Sequence, residues 1–222
     1  PIKGFEEKII KHNPKLIFIC NPNNPTGTVL SAQEIIQLAN INKNSLIVVD
    51  ELYEKFYGDS LLKLIDFERN KNIVIIQSLS KTAGLAGLRI GFTFGHRSLI
   101  KYINKVTGPY DVNSFAVTGT LAALKDKSYI DKYVLEVKKA REWILKKFKS
   151  TKIRTHFSGG NYFLIWPNKN PKFLIEQMRE KGILIRSMEN KKDIGNSIRV
   201  SIGNQEQMNF FWDNYKELDL SN

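Results

Sequence analysis

Three short apolar runs, Leu16-Ile17-Phe18-Ile19-Cys20, Leu46-Ile47-Val48-Val49 and Ile73-Val74-Ile75-Ile76, alternate with stretches of helical character, and this alternation most restricts the fold. Each run is short, and branched residues recur in it, so each reads as a buried strand. Phe5 to Lys11 reads as the end of a helix stopped at Asn13-Pro14. Ser31 and Glu34 form a capping box that opens a helix through about Ala39, with Ile35, Ile36 and Leu38 available for burial. Strands alternating with helices argue for an α/β domain, and strand ends in such domains are where ligands bind.

The third run delivers Ser78-Leu79-Ser80-Lys81-Thr82-Ala83-Gly84-Leu85-Ala86-Gly87-Leu88-Arg89-Ile90-Gly91, which packs hydroxyls, a lysine, glycines and an arginine into one turn region. A lysine at a strand end can be held away from bulk water, where its amine suits Schiff-base chemistry, and the hydroxyls with Arg89 suit a phosphate. Ser-x-Ser-Lys alone is equally a solvated loop lysine. Asp50, ending the second run, either faces a ligand or caps the following turn. Tyr53 comes near the same place if Glu51 to Tyr53 forms a helical turn. Asn21-Pro22-Asn23-Asn24-Pro25-Thr26-Gly27 holds two Asn-Pro pairs in tandem, which fix a rigid connector able to aim a side-chain amide.

Downstream, Gly58-Asp59-Ser60 marks a loop before an amphipathic Leu61 to Phe67, and Leu88 to Phe94 reads as another strand. Gly108-Pro109-Tyr110 breaks the chain before a helix from Asn113 to Lys125. Tyr129 to Lys149 carries a helical apolar stripe with lysines opposite. The remainder reads as a smaller α+β unit: strands at Ile153 to Phe157 and Tyr162 to Trp166 around Gly159-Gly160, a helix from Pro171 to Lys181 ending at Gly182, strands at Ile183 to Arg186 and Ser197 to Ile202, and a closing helix from Gln205 to Tyr215.

The 222 residues suffice for two modest domains. No run approaches the ~18 apolar residues of a membrane span, and no signal-peptide hydrophobic region opens the chain, so no membrane association is expected. The single Cys20 excludes an internal disulfide and agrees with a reducing, cytoplasmic setting. His12, His96 and His156 are scattered without ligand spacing, and no metal is expected. The net charge of +12 is spread over helical faces, as at Lys138, Lys139, Lys146 and Lys147, without an aromatic-interleaved groove. It reads as solvated surface that attracts phosphorylated substrates, with no nucleic-acid partner.

The Asn/Pro loop, Val48-Val49-Asp50-Glu51-Leu52-Tyr53, the Ser78 to Gly91 turn and Ile198-Arg199-Val200-Ser201-Ile202-Gly203, in this order and at these separations, resemble the fold-type I pyridoxal-phosphate aminotransferases, and within them the histidinol-phosphate aminotransferase branch. The resemblance implies a mostly parallel large domain flanked by helices, here residues 1–127 and incomplete at its N-terminus, and a smaller C-terminal domain, residues 128–222. It implies pyridoxal 5'-phosphate as cofactor, with Lys81 as its attachment point and proton-moving base. Asp50 would pair with the ring nitrogen, Asn24 and Tyr53 with the phenolate oxygen, and Ser78, Ser80 and Arg89 with the phosphate. Arg199, otherwise a surface strand arginine, matches the residue that grips the substrate carboxylate. Tyr110 and Arg186 match positions near the substrate phosphate, and Asn24 also counts among the substrate contacts.

The same resemblance implies a homodimer exchanging an amino group between a phosphorylated amine or amino acid and 2-oxoglutarate or glutamate. A decarboxylase of a phosphorylated amino acid is the alternative of like chemistry. A non-catalytic chain, truncated or half of a split assembly, is the alternative of another class. Family contacts from a Gly/Ser-rich loop, a stacking aromatic and an N-terminal arm all precede Asn21 and have no counterpart here, so the isolated chain is expected to be weakly active or inactive. Gly160 stands where the family pattern has alanine.

Overall fold

The computed structural model describes residues 2–221. Its contacts divide the chain into two compact units. The first takes the chain before Asn24 with Thr28–Asp131, and the second takes Asn24–Gly27 with the chain from Lys132 onwards.

In the first unit, β1 (Leu16–Cys20), β2 (Leu46–Asp50), β3 (Ile73–Gln77) and β4 (Phe92–Gly95) form one sheet in that order. β1, β2 and β3 run parallel, and β4 lies antiparallel to β3. The helices α1 (Ile2–His12) and α2 (Ala32–Ile41) cover one face. Ile9, Ile35, Leu38 and Ala39 bury against Ile19, Ile47, Val49, Ile73 and Ile75, alternate positions of the three strands as the pleat requires. Ser31 caps α2 as a full capping box, with Glu34 Oε2 accepting from Ser31 N at 2.7 Å; these bonds draw the Glu34 carboxyl below its ordinary range. On the other face, Leu16 and Phe18 of β1 stay exposed.

One expected strand fails locally, and two neighbouring segments take a definite form. Leu88 to Gly91 is not strand: Ala86–Leu88 forms a 3-10 turn, Arg89 adopts a left-handed φ of 54°, and β4 begins only at Phe92. The Arg89 guanidinium donates to Ala86 O at 3.2 Å, which holds the turn closed. The amphipathic Leu61 to Phe67 opens as a short 3-10 turn, Leu61–Lys63, and Asp66 accepts from Glu68 N at 2.9 Å further on. Glu51 to Tyr53 forms a turn closed by Glu54 N donating to Glu51 O at 3.2 Å, and Tyr53 precedes the short α3 (Glu54–Tyr57). The helix α4 (Arg97–Ile103), capped by His96, is an addition to the elements expected, and α5 (Ser114–Lys125) agrees with them.

α6 (Lys127–Lys149) contains the division between the units. In the second unit, β5 (Arg154–Phe157), β6 (Tyr162–Trp166), β8 (Ile198–Ser201) and β7 (Arg186–Ser187) form an antiparallel sheet in that spatial order. The expected strand Ile183 to Arg186 shrinks to Arg186–Ser187. Behind α7 (Pro171–Glu180), Ile183 N donates to Met178 O at 2.8 Å, so the helix end consumes an amide the ladder would need. Phe148 of α6 sits at the centre of the core, with ring centroids of Phe163, Trp212 and Tyr215 at 5.8, 5.1 and 5.2 Å.

The closing helix α8 (Gln205–Tyr215) runs into one π-helical turn, Lys216–Leu220. That turn places Asp219 inside, where it accepts from Tyr215 OH at 2.6 Å, Lys169 N at 2.8 Å and Asn168 N at 3.1 Å. Burial first, then the hydrogen bond to Asp219, pushes the Tyr215 phenol far above its ordinary value of 10. A raised pKa in the folded state contributes stability that is complete below the unfolded value and lost as pH climbs above it. Urea unfolding should therefore show stability falling as pH rises past about 10, and Tyr215→Phe should flatten that slope. An unchanged slope would place the alkaline loss elsewhere.

Candidate active site

Strand register sets the site. Cys20 pairs with Asp50, and Asp50 with Ile76, so the carboxyl ends of β1, β2 and β3 lie level. From these ends leave the Asn/Pro loop, the Glu51 to Tyr53 turn and the Ser78 to Lys81 turn. The first loop is tied at its root: Asn21 accepts from Leu30 N at 2.8 Å and donates through Nδ2 to Leu30 O at 2.9 Å, closing the loop on one amide. Both of its Asn-Pro bonds, Asn21-Pro22 and Asn24-Pro25, are cis.

A cavity of about 390 Å³ opens beside β2 and β3, lined by Asp50, Gln77, Ser78, Ser80, Lys81 and Arg89 among others. Asp50 Oδ1 accepts from Leu52 N at 3.0 Å, which fixes the carboxylate at the strand end. Partial burial and then the Asp50 charge push the Cys20 thiol upward, so the sulfur stays protonated and is no nucleophile. Ser78 and Ser80 hydroxyls stand 2.7 Å apart, and Ser80 N donates to Ser78 Oγ at 3.0 Å. The turn thus presents two adjacent hydroxyls, a half-buried lysine and an exposed arginine. A carboxylate, an amine and a hydroxyl-guanidinium group around one cavity can bind a molecule with a cationic ring edge, a carbonyl and a phosphate.

Tyr53 and Tyr110 do not line this cavity. Tyr53 is buried, and Tyr110 is 92% exposed on the segment before α5. Asn24, Arg186 and Arg199 belong to the second unit. There, Arg199 Nη1 donates to Asn24 Oδ1, and the guanidinium lies 5.2 Å from the Tyr162 ring centroid. β7 and β8 pair so that Arg186 stands directly opposite Arg199, giving two neighbouring cationic positions. The Asn24–Gly27 segment is held by Gly159 N, which donates to Gly27 O at 2.9 Å. Arg141 supports that turn in its own way, donating to Ser158 O at 3.0 Å from a largely buried position that lowers its guanidinium pKa.

Two residues escape a reading of the sequence. Glu51, beside Asp50, is 2% exposed and heavily hydrogen-bonded, whereas a carboxylate next to an aspartate reads as solvated. Tyr162 reads only as a strand residue, although it lies under Arg199. It also accounts for Gly160: a β-carbon there would stand 2.6 Å from Tyr162 Cζ and 2.7 Å from Cε1. The alanine of the family pattern does not fit beside this ring.

The chain belongs to the aminotransferase class I and II family, whose model matches residues 2–213. It is 33% identical over 221 residues to the histidinol-phosphate aminotransferase of Thermoanaerobacter pseudethanolicus, covering 99% of this chain and 61% of that protein. The crystal structure of histidinol-phosphate aminotransferase from Sinorhizobium meliloti, in complex with pyridoxal-5'-phosphate, shares the fold at TM-score 0.84 and 23% identity, covering 98% of this chain and 62% of that one. L-threonine-O-3-phosphate decarboxylase from Porphyromonas gingivalis aligns at TM-score 0.79 and 25% identity, covering 93% and 65%. The chain thus spans about 61% of the length of the curated relatives it matches.

Gly160→Ala is expected to cost about 1–3 kcal/mol in urea unfolding, because the added methyl must displace a buried ring. Wild-type stability in that variant would show that the Tyr162 ring has room to move.

Proposed function

We propose that this chain is the cofactor-bearing part of a pyridoxal-phosphate-dependent aminotransferase acting on a phosphorylated amine or amino acid, with 2-oxoglutarate or glutamate as the other partner. The observation that carries the reading is the gathering of Asp50, Ser78, Ser80, Lys81 and Arg89 around one cavity at the carboxyl ends of β2 and β3. This donor set fits pyridoxal phosphate group by group: a carboxylate for the ring nitrogen, an amine for the aldehyde, and two hydroxyls with a guanidinium for the phosphate.

Bound there, the cofactor would supply an electron sink for the pair left when a substrate Cα–H bond breaks. Asp50, oriented by Leu52 N, would hold the ring nitrogen in its protonated form. Lys81 Nζ would anchor the cofactor and supply the amine that takes up and returns the substrate Cα proton. Ser78, Ser80 and Arg89 would hold the phosphate, Arg89 by its forked donors. Arg199, steadied by Asn24, binds the substrate carboxylate, and Arg186 across the β7–β8 pair binds its phosphate. Two adjacent arginines suit a doubly anionic substrate better than a plain amino acid. Tyr53 and Asn24 as partners of the phenolate oxygen, Tyr110 near the substrate phosphate, and a homodimer complete the reading.

Likeness to a threonine-phosphate decarboxylase supports a second reading, loss of carboxylate from a phosphorylated amino acid. Both share the cofactor residues and differ in which bond at Cα breaks.

The test is borohydride reduction of the chain with pyridoxal phosphate, and then peptide mapping. A pyridoxyl group confined to Lys81, absent in Lys81→Ala and reduced at least about tenfold in Asp50→Asn, is expected. Labelling scattered over surface lysines would sink the reading and favour a non-catalytic chain. With substrate, glutamate-dependent turnover marks the transferase, and carbon dioxide release marks the decarboxylase.

A further inference from the structure

Glu51 places a carboxyl group in the interior and none of the roles above uses it. Its side chain is 2% exposed, and no lysine or arginine pairs with it among the described residues. Burying a carboxylate is costly unless donors surround it. Three do: Leu61 N at 2.6 Å on Oε1, with Ser60 Oγ at 2.6 Å and Gln77 Nε2 at 2.8 Å on Oε2. The Gln77 amide reaches Ser60 Oγ as well, at 3.3 Å. Because an ionised carboxylate only accepts, it also dictates that Gln77 presents its NH₂.

The donors come from two places in the chain. Ser60 and Leu61 open the 3-10 turn, and Gln77 is the last residue of β3. The Glu51 main chain reaches the same strand end, its N–H donating to Ile76 O at 2.8 Å. Main chain and side chain therefore grip β3 at successive residues. One residue before Glu51 is Asp50, and one residue after Gln77 is Ser78, with Ser80 and Lys81 just beyond. Both Asp50 and Gln77 line the same cavity.

We infer that Glu51 is a positioning residue for the cofactor: its buried carboxylate fixes the spacing between the Asp50 carboxylate and the Ser78–Lys81 turn. A cofactor gripped at its ring nitrogen and its phosphate at once needs those two strand ends held apart by a constant amount. The inference rests on the pyridoxal-phosphate reading. A packed apolar side chain would close the interior equally well, but it could not reach Gln77 and Leu61 with directed bonds.

The test uses Glu51→Gln and the exchange Glu51→Gln/Gln77→Glu, each titrated with pyridoxal phosphate and monitored by visible absorption, its pH titration and Lys81 labelling. Glu51→Gln keeps the shape but turns one acceptor into a donor that faces donors. It should weaken cofactor affinity about tenfold or more and displace the pH titration of the bound absorption band. The exchange puts the carboxylate across the same contact, so it should recover affinity relative to Glu51→Gln, short of wild type because its Gln77→Glu half adds a negative charge to the wall of the phosphate-holding cavity. Cofactor affinity and absorption unchanged in Glu51→Gln overturn the inference. So does loss of fold in Glu51→Gln, or loss of affinity, that the exchange does not restore, since Glu51 would then act only in folding or in some other way. If wild type itself fails to label at Lys81, the pyridoxal-phosphate reading falls first and takes this inference with it.

Discussion

The parallel ladder of β1, β2 and β3 is the constraint on which the first unit depends. Because Cys20, Asp50 and Ile76 are level across it, three chain segments leave the sheet together, and the loop after each strand becomes a neighbour of the loop after the adjacent one. A one-residue slip would turn Asp50 to the opposite face and exchange buried Val49 for it. The apolar alternation that packs Ile47, Val49, Ile73 and Ile75 against α1 and α2 is therefore also what aims the carboxylate. Core packing and site geometry are two results of the same register.

The second unit rests on different physics. Its sheet is antiparallel, and it is held by the aromatic cluster around Phe148 and by Asp219, which binds the closing helix to the segment after β6. On that frame β8 presents Arg199 between buried Ile198 and Val200, so the strand's own alternation decides which way the guanidinium leaves. Glycine at position 160 belongs to this arrangement, since it leaves space for the ring on which Arg199 lies.

The strands were legible in the sequence where burial was two-sided or strictly alternating, as in Leu46 to Val49 and Tyr162 to Trp166. The pattern misled where a local hydrogen bond overruled it: Leu88 to Gly91 became a turn closed by the Arg89 guanidinium, and Ile183 gave its amide to the end of α7. The residues bearing chemistry were legible from their types and order. Their supports were not, because Glu51 and Arg141 act through partly buried bonds to partners distant in the chain, and composition does not show which charged side chain turns inward. Tyr53 illustrates the same limit, being near in sequence to Asp50 yet outside the lining of the cavity.

The open flank of β1 carries a last consequence. Among the described residues β1 ends its sheet, and Leu16 and Phe18 stand out from one face of it at 47% and 69% exposure. Such an edge is a template for strand addition, and it sets a tendency to stick to itself. What opposes that tendency is the surplus of lysine and arginine over acidic residues, whose +12 net charge makes two copies repel over roughly a Debye length. Colloidal behaviour of the chain is thus a contest between one apolar strand edge and a diffuse cationic shell, and added salt weakens only the second.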